Sequence, residues 1–425
     1  MGKQKLYMIS LDAFGSKDLD YAKTLPNFNY LLKKSALVKN VETVYPSLTY
    51  MCHTSILTGL YPHKHGITHN TKLQPSKSSP DWFWYAQDIQ SSTIFDIAHE
   101  NGWNVASFLW PVTGKSRSID YNLTEIFPNR SWQNQVMVSL YSGSPFFVYQ
   151  LDKKFGKLRN GIMQPELDEF LTAGIIDTIK TKNPDLMAIH FVDLDYMRHH
   201  HGVDSKQAKA AIQRMDQHLG QIIRAMKQQG IFDETILAIF GDHYQIDTHT
   251  AIRLNVLFRQ EGWIEVDKNG HVKKWKVIAQ PAEGSCYIYS NGEVSDQSIF
   301  ELLQLYPDCI EVIYNQEQAN ALGADPDCTF LIEAKRGFYF LPENNKPFME
   351  TVKEKNSLYK ATHGYSPTKD NYETFLMMSG PTINTGMVIE QARLVDEGPT
   401  FLHALGLSFP TSTDGKILFD LFENQ

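Results

Sequence analysis

The sequence predicts an α/β protein built on a mostly parallel sheet, with a small α+β insertion. Three observations predict it. Five short apolar runs are continuous rather than alternating, as in strands buried on both faces. Helical patterns separate these runs, and between about 255 and 345 the texture changes to short strand-like pieces broken by turns. The run 6–11 follows Met-Gly-Lys-Gln-Lys, contains Ser10 and stops at Asp12, so it is too short and too polar for a secretory segment and reads as the first strand. Strands are also expected at 105–109, 186–192, 236–240 and 375–378. Between 186–192 and 236–240, Ala208, Ile212, Met215, Leu219, Ile222 and Met226 recur at steps of four and three, the stripe of an amphipathic helix. Gly230 is placed to end that helix, and Asp204 with Gln207 offers a capping box at its start. Strand-like pieces at 287–289, 310–314, 330–332 and 337–341, with a helical stretch near 297–305, define a smaller subdomain. The expected organisation is therefore a core made of 1–254 and 346–425, with 255–345 inserted into it.

Composition narrows the function. The chain has 425 residues, 42% of them apolar and 21% charged, which excludes disorder and fibrous repeats. With 48 acids against 40 bases the net charge is −8, opposite to the basic face a nucleic-acid binder needs. No run approaches the roughly 18–20 apolar residues of a membrane span. Cys52, Cys286, Cys309 and Cys328 are scattered without a CxxC, so free thiols in a reducing cytoplasm are expected rather than a disulfide framework or a zinc ribbon. The oligomeric state is left open.

Ligands of open parallel sheets gather at the carboxyl ends of strands, where loops converge and helix N-termini point. Asp12 follows the first strand, Asp193 and Asp195 follow 186–192, and Asp242 with His243 follows 236–240. An acid at one strand end is usually a helix cap. Three strands delivering carboxylates and imidazole to one edge instead suggest a metal site. Asp195 and His199 are four residues apart, close enough in one turn to reach a common ion. Thr49, after Pro46-Ser47, fits the start of a helix, where the dipole favours an alkoxide and a phosphate alike.

Thr49-Tyr50, His53, Thr58-Gly59-Leu60-Tyr61-Pro62, His65-Gly66-Ile67 and Asn70 stand in the order seen in a known family. So do Asp195 to Gly202, Gly241-Asp242-His243-Tyr244 and His363-Gly364-Tyr365. From Asp12 to about Pro381 the chain resembles the nucleotide pyrophosphatase/phosphodiesterases of the alkaline phosphatase superfamily. The resemblance implies an alkaline-phosphatase-like three-layer sandwich and a covalent phospho-threonine mechanism. It implies that Asp12, Thr49, Asp242 and His243 hold one divalent metal while Asp195, His199 and His363 hold the other. Asn70 and the backbone N–H of Tyr50 would bind a phosphoryl oxygen. Carboxylate and imidazole ligands suit Zn2+ first, with Mn2+ or Fe as alternatives. The implied partner is a small phosphorylated substrate such as a nucleotide.

Departures from the family pattern are Met51, Cys52, Arg198 and Tyr244, none of which removes a ligand. Cys52 lacks the Cys-x-Pro-x-Arg context of a sulfatase nucleophile and reads as a packed helix residue. Arg198 is either a surface residue or a positive group at the phosphate pocket, as a phosphomonoesterase would need. A phosphomonoesterase or phosphonate hydrolase, and a catalytically inactive metal-binding scaffold, are the alternatives. In the aromatic run Trp82-Phe83-Trp84-Tyr85, Trp82 and Trp84 are the candidates for substrate stacking, while Trp103 and Phe108 read as core. Specificity is expected in 77–111, 131–165 and 255–345.

Overall fold

A computed structural model describes residues 3–423, so the first two and last two residues of the expected core lie outside it. Its centre is an eight-stranded sheet. The strands are β1 (Lys5–Leu11), β2 (Ser35–Glu42), β3 (Val105–Phe108), β4 (Tyr121–Leu123), β5 (Leu186–Phe191), β6 (Thr235–Phe240), β7 (Thr374–Ser379) and β8 (Val388–Arg393). Their order is β8-β2-β7-β6-β1-β5-β3-β4. All neighbouring pairs are parallel except those of β7, which runs antiparallel to β2 and β6. The reversal has a topological cause. The long excursion after β6 leaves and returns at the same sheet edge, so β7 must start where β6 ended. All five apolar runs are strands, each within one residue of the expected bounds.

Three layers follow from the pleat, because alternate residues of a strand face opposite sides. Tyr7, Ile9 and Leu11 of β1 pack with Ile175 and Ile212, from the helices Glu166–Thr181 and Lys206–Gln228. Leu6 and Met8 face the other way, toward Ile56, Phe95 and Phe401 of the helices Thr49–Thr58, Ile94–Glu100 and Glu397–Ala404. The helix Lys206–Gln228 carries the expected stripe, but its cap differs. Ser205, not Asp204, accepts a hydrogen bond from the Ala208 N–H at 3.1 Å, because a side chain one residue nearer the helix reaches its third N–H.

Within 255–345 lies a four-stranded antiparallel sheet in the order Val277–Ala282, Ser285–Ser290, Phe330–Ala334, Ile310–Asn315, with the helix Asp296–Gln304. The piece expected at 337–341 is the strand Phe338–Phe340, which pairs with Thr250–Ile252 instead of joining this sheet. The hydrophobic cluster beneath it also takes in Tyr45, Tyr244, Tyr365 and Tyr372 from the flanking chain. All four cysteines are free and buried.

Candidate active site

Because β1, β5 and β6 run the same way, Asp12, Asp195 and Asp242 meet at one edge of the sheet, and the reversed β7 brings His363 there from the opposite direction. Thr49 is the first residue of the helix Thr49–Thr58, with Leu48 extended before it. Ser47 ties this helix start to the His363 segment: its Oγ donates to Tyr365 O at 2.9 Å, and its carbonyl accepts from His363 Nδ1 at 3.0 Å. Gly241 and Gly364 permit the close approach. A Cβ on Gly241 would lie 1.9 Å from Phe14 O, and one on Gly364, where φ is +76°, would lie 1.8 Å from Ala282 O.

Four donor atoms converge in the first cluster. His243 Nε2 lies 3.1 Å from Thr49 Oγ1 and 3.3 Å from both Asp12 Oδ1 and Asp242 Oδ2. Those two carboxylate oxygens are buried without a hydrogen-bond partner. Burial pushes the Asp12 carboxyl up to about 7, reinforced by Asp195; Asp242 is raised by burial and then by Asp12. His243 is held well below the usual imidazole range by burial and by His363, whose ring stacks on it at 3.9 Å. Buried carboxylate oxygens of this kind need compensation by positive charge. The donor set fits a divalent cation.

In the second cluster His199 Nε2 lies 3.3 Å from Asp195 Oδ2, and His363 Nε2 lies 4.0 Å from Asp195 Oδ1. Against the cost of burial, His199 and His363 hold the Asp195 carboxyl well below the usual carboxylate range, and Asp195 and Glu283 lift His199 to about 9. His199 and His363 each turn Nδ1 to a backbone carbonyl, Ala361 O at 2.9 Å and Ser47 O at 3.0 Å. An Nδ1–H committed to a carbonyl leaves the Nε2 lone pair for a metal.

Further residues join the site. Glu283, from the turn between two strands of the antiparallel sheet, has Oε2 3.5 Å from His363 Nε2 and forms a possible ligand set with His199 and His363. His190 Nε2 reaches Asp12 Oδ2 at 3.0 Å, and its ring Nδ1 lies 3.5 Å from Glu125 Oε2. His53 spans Thr49 O at 2.8 Å and Ser10 Oγ at 2.9 Å, bracing the helix start. Glu283 and His190 carry no sequence signal, since each is a lone polar residue whose partners are distant in the chain, whereas His53 stands in the motif that begins at Thr49.

A model of the type I phosphodiesterase/nucleotide pyrophosphatase family matches residues 6–366. This chain belongs to that family. Human ectonucleotide pyrophosphatase/phosphodiesterase family member 1 is 25% identical over 289 residues, 65% of this chain but 26% of that protein. Venom phosphodiesterase 2 of Crotalus adamanteus is 27% identical over 251 residues, 56% of this chain and 26% of its own length. The chain thus spans about a quarter of the length of these two relatives. The mouse bis(5'-adenosyl)-triphosphatase is 24% identical over 97% of this chain and 80% of its own. A solved structure of inactive murine ectonucleotide pyrophosphatase/phosphodiesterase 5, in complex with AMP, has a TM-score of 0.71 at 19% identity, covering 99% of this chain and all of that one. The fold is therefore the α/β architecture of this phosphodiesterase family.

Within the family frame, the site opens into a cavity of about 630 Å³ lined by Asp12, Thr49, Tyr50, Asn70, Trp82 and Glu125 among others. The Tyr50 N–H donates to Asn70 Oδ1 at 3.1 Å, which brings the two groups together beside Thr49. Trp84 departs from expectation. It is 4% exposed and packs edge-on against Phe127, in the apolar cluster with Tyr50, Ile67 and Ile126 that backs the cavity wall. Arg198 also departs, from both of its readings. Its guanidinium is buried, bonds Asp18 Oδ1 at 2.6 Å and the carbonyls of Ala13 and Val203, and lines a different cavity. Asp193 is taken up by a bidentate pair with Arg214 at 2.7 and 3.0 Å. Cys52, Trp103 and Phe108 are core residues, as expected.

Proposed function

We propose that this protein is a metal-dependent phosphodiesterase or nucleotide pyrophosphatase that works through a phospho-threonine intermediate. The observation that carries the proposal is Thr49 Oγ1 at a helix start, 3.1 Å from His243 Nε2, beside two buried carboxylate oxygens that have no partner. Asp12, Thr49, Asp242 and His243 would hold one cation, and Asp195, His199 and His363 the other. Divalent ions there, Zn2+ first by ligand type, supply the positive charge that acidifies the threonine hydroxyl and offsets charge on the departing oxygen. Thr49 Oγ1 attacks phosphorus, forming one P–O bond as the bond to the alkoxide or phosphate leaving group breaks. The Asn70 side-chain NH2, and the Tyr50 N–H once it exchanges Asn70 Oδ1 for substrate, hold a non-bridging oxygen, and the helix start favours the negative charge. Water then attacks the same phosphorus and releases Thr49. Nucleotides are the leading substrate class, given the similarity to a bis(5'-adenosyl)-triphosphatase and the AMP complex of the structural neighbour. With Arg198 engaged elsewhere, the phosphomonoesterase alternative loses its phosphoryl-binding candidate.

The test is hydrolysis of bis-p-nitrophenyl phosphate, p-nitrophenyl phosphate, phosphonoacetate and dinucleotides, with and without chelator. Diester and anhydride turnover should dominate and vanish with chelator. Thr49→Ala should lose at least ~10³-fold in turnover, in line with removal of a covalent nucleophile. An alanine variant with wild-type turnover ends the proposal.

A further inference from the structure

The stretch 128–165 stands apart from the rest of the molecule in two independent ways. Sixteen large apolar side chains are exposed among the described residues, and nine of them fall between 132 and 163. Trp132, Phe146 and Tyr149 are 69%, 72% and 55% exposed, with Val136, Met137 and Tyr141 beside them. The second property is charge. This stretch holds five cations, Arg130, Lys153, Lys154, Lys157 and Arg159, against the single acid Asp152, a balance of +4 in a chain of −8. Arg130, Lys154 and Arg159 are paired with acids, whereas Lys153 and Lys157 are exposed and make no ion pair among the described residues.

The helices Gln135–Ser142 and Pro145–Phe155 explain how the patch is built. In the second, Phe147, Val148 and Leu151 turn inward while Phe146, Tyr149 and Lys153 face solvent at helical spacing. An aromatic and aliphatic face flanked by lysines is the chemistry of a helix lying in a lipid interface. Monomeric soluble proteins rarely leave such a patch bare. The patch is also continuous with the active-site cavity, since Val136, Tyr149, Ile162 and Met163 are exposed and line it as well.

We propose that 128–165 is a docking surface for an anionic lipid bilayer. The apolar side chains enter the interface and Lys153 and Lys157 meet the anionic headgroups, so the mouth of the cavity faces the membrane. Resting on the Thr49 reading, this orientation presents an amphiphilic phosphodiester to the nucleophile, with its apolar part against the cavity wall.

Flotation of the intact protein with phosphatidylcholine vesicles, and with vesicles that also contain phosphatidylglycerol, tests the docking without turnover. The wild type should float with the mixed vesicles, less so as salt is raised. Lys153→Gln and Lys157→Gln should each cut binding about fivefold. Trp132→Ser with Phe146→Ser should abolish it, while hydrolysis of soluble bis-p-nitrophenyl phosphate stays unchanged and certifies the fold. Absence of wild-type flotation, or equal flotation of the serine variant, overturns the proposal. So does a wild-type dimer in sedimentation that Phe146→Ser dissolves, which would assign the patch to a second copy of the chain. Loss of the Thr49 reading would leave the flotation result intact, so the two failures are distinguishable.

Discussion

Glu283 shows what one side chain adds to a ligand set. Its backbone has φ +62°, a left-handed conformation that non-glycine residues adopt at a cost of roughly 1–3 kcal/mol. The surroundings hold it there: Phe340 N–H donates to its carbonyl at 2.7 Å, and Thr362 Oγ1 and the His363 N–H donate to its carboxylate. A strained residue that puts a carboxylate 3.5 Å from the His363 imidazole would, under the proposed two-metal reading, either join the cation or orient that imidazole. In both cases Glu283→Gln should weaken cation binding at the second cluster about 10–100-fold, the usual effect of a partner that supports a ligand. Chelator competition measures it. Unchanged affinity would confine Glu283 to its hydrogen bonds with Thr362 and His363.

The helix Asp193–His201 carries both Asp195 and His199, so its seating sets the second cluster. Two arginines seat it. Arg214, on the neighbouring long helix, grips Asp193, and Arg198 reaches across to Asp18 and Ala13 beside Asp12. Arg198→Leu would leave Asp18 buried and unpaired, a change that costs about 3–5 kcal/mol. Urea unfolding checks it, and a loss below about 1 kcal/mol would mean the pair contributes little to seating the helix. Neither arginine's destination was legible in the sequence, because Ala13 and Asp18 lie 185 and 180 residues from Arg198, and Asp193 lies 21 residues from Arg214 on a different helix. The helix itself was partly legible: four-residue spacing put Asp195 and His199 on one side, as observed. The cap at Ser205 was misplaced by a single residue, since Asp204 and Ser205 are both good caps and only backbone geometry separates them.

Across the whole molecule, stability should depend on pH through histidines buried without charge. His65 is an example outside the ligand clusters. Its Nδ1 accepts from the Ile67 N–H at 3.1 Å, its Nε2 faces Ser55 Oγ at 3.0 Å, and burial, aided by His63, lowers its pKa to about 3 from an ordinary value of 6.5. In the unfolded chain it takes a proton below about 6.5 while the folded protein does not, so its contribution is full above that pH and is lost as pH falls toward about 3. Unfolding free energies from pH 7 to 4 should therefore fall more steeply for the wild type than for His65→Gln. Equal slopes would contradict a neutral buried His65.

The same overall view separates what the chain states from what folding adds. The sequence by itself determined five of the eight strands of the main sheet, among them β1, β5 and β6 with the acids and histidine at their carboxyl ends, but not β2, β4 or β8, which are short or carry polar residues. Burial on both faces writes a continuous apolar run, and the acids and histidines lie next to those runs in order. Only the tertiary structure decided that β7 runs backward, that Trp84 sits behind the cavity wall, that Arg198 serves the scaffold, and that Glu283 reaches the histidines. It also decided that the exposed apolar residues Val136, Tyr149, Ile162 and Met163 line the cavity. Each of these depends on which loops meet at the sheet edge and which side of an element they cover. Such meetings are set by contacts between residues tens to hundreds of positions apart, which leave no periodic trace along the chain.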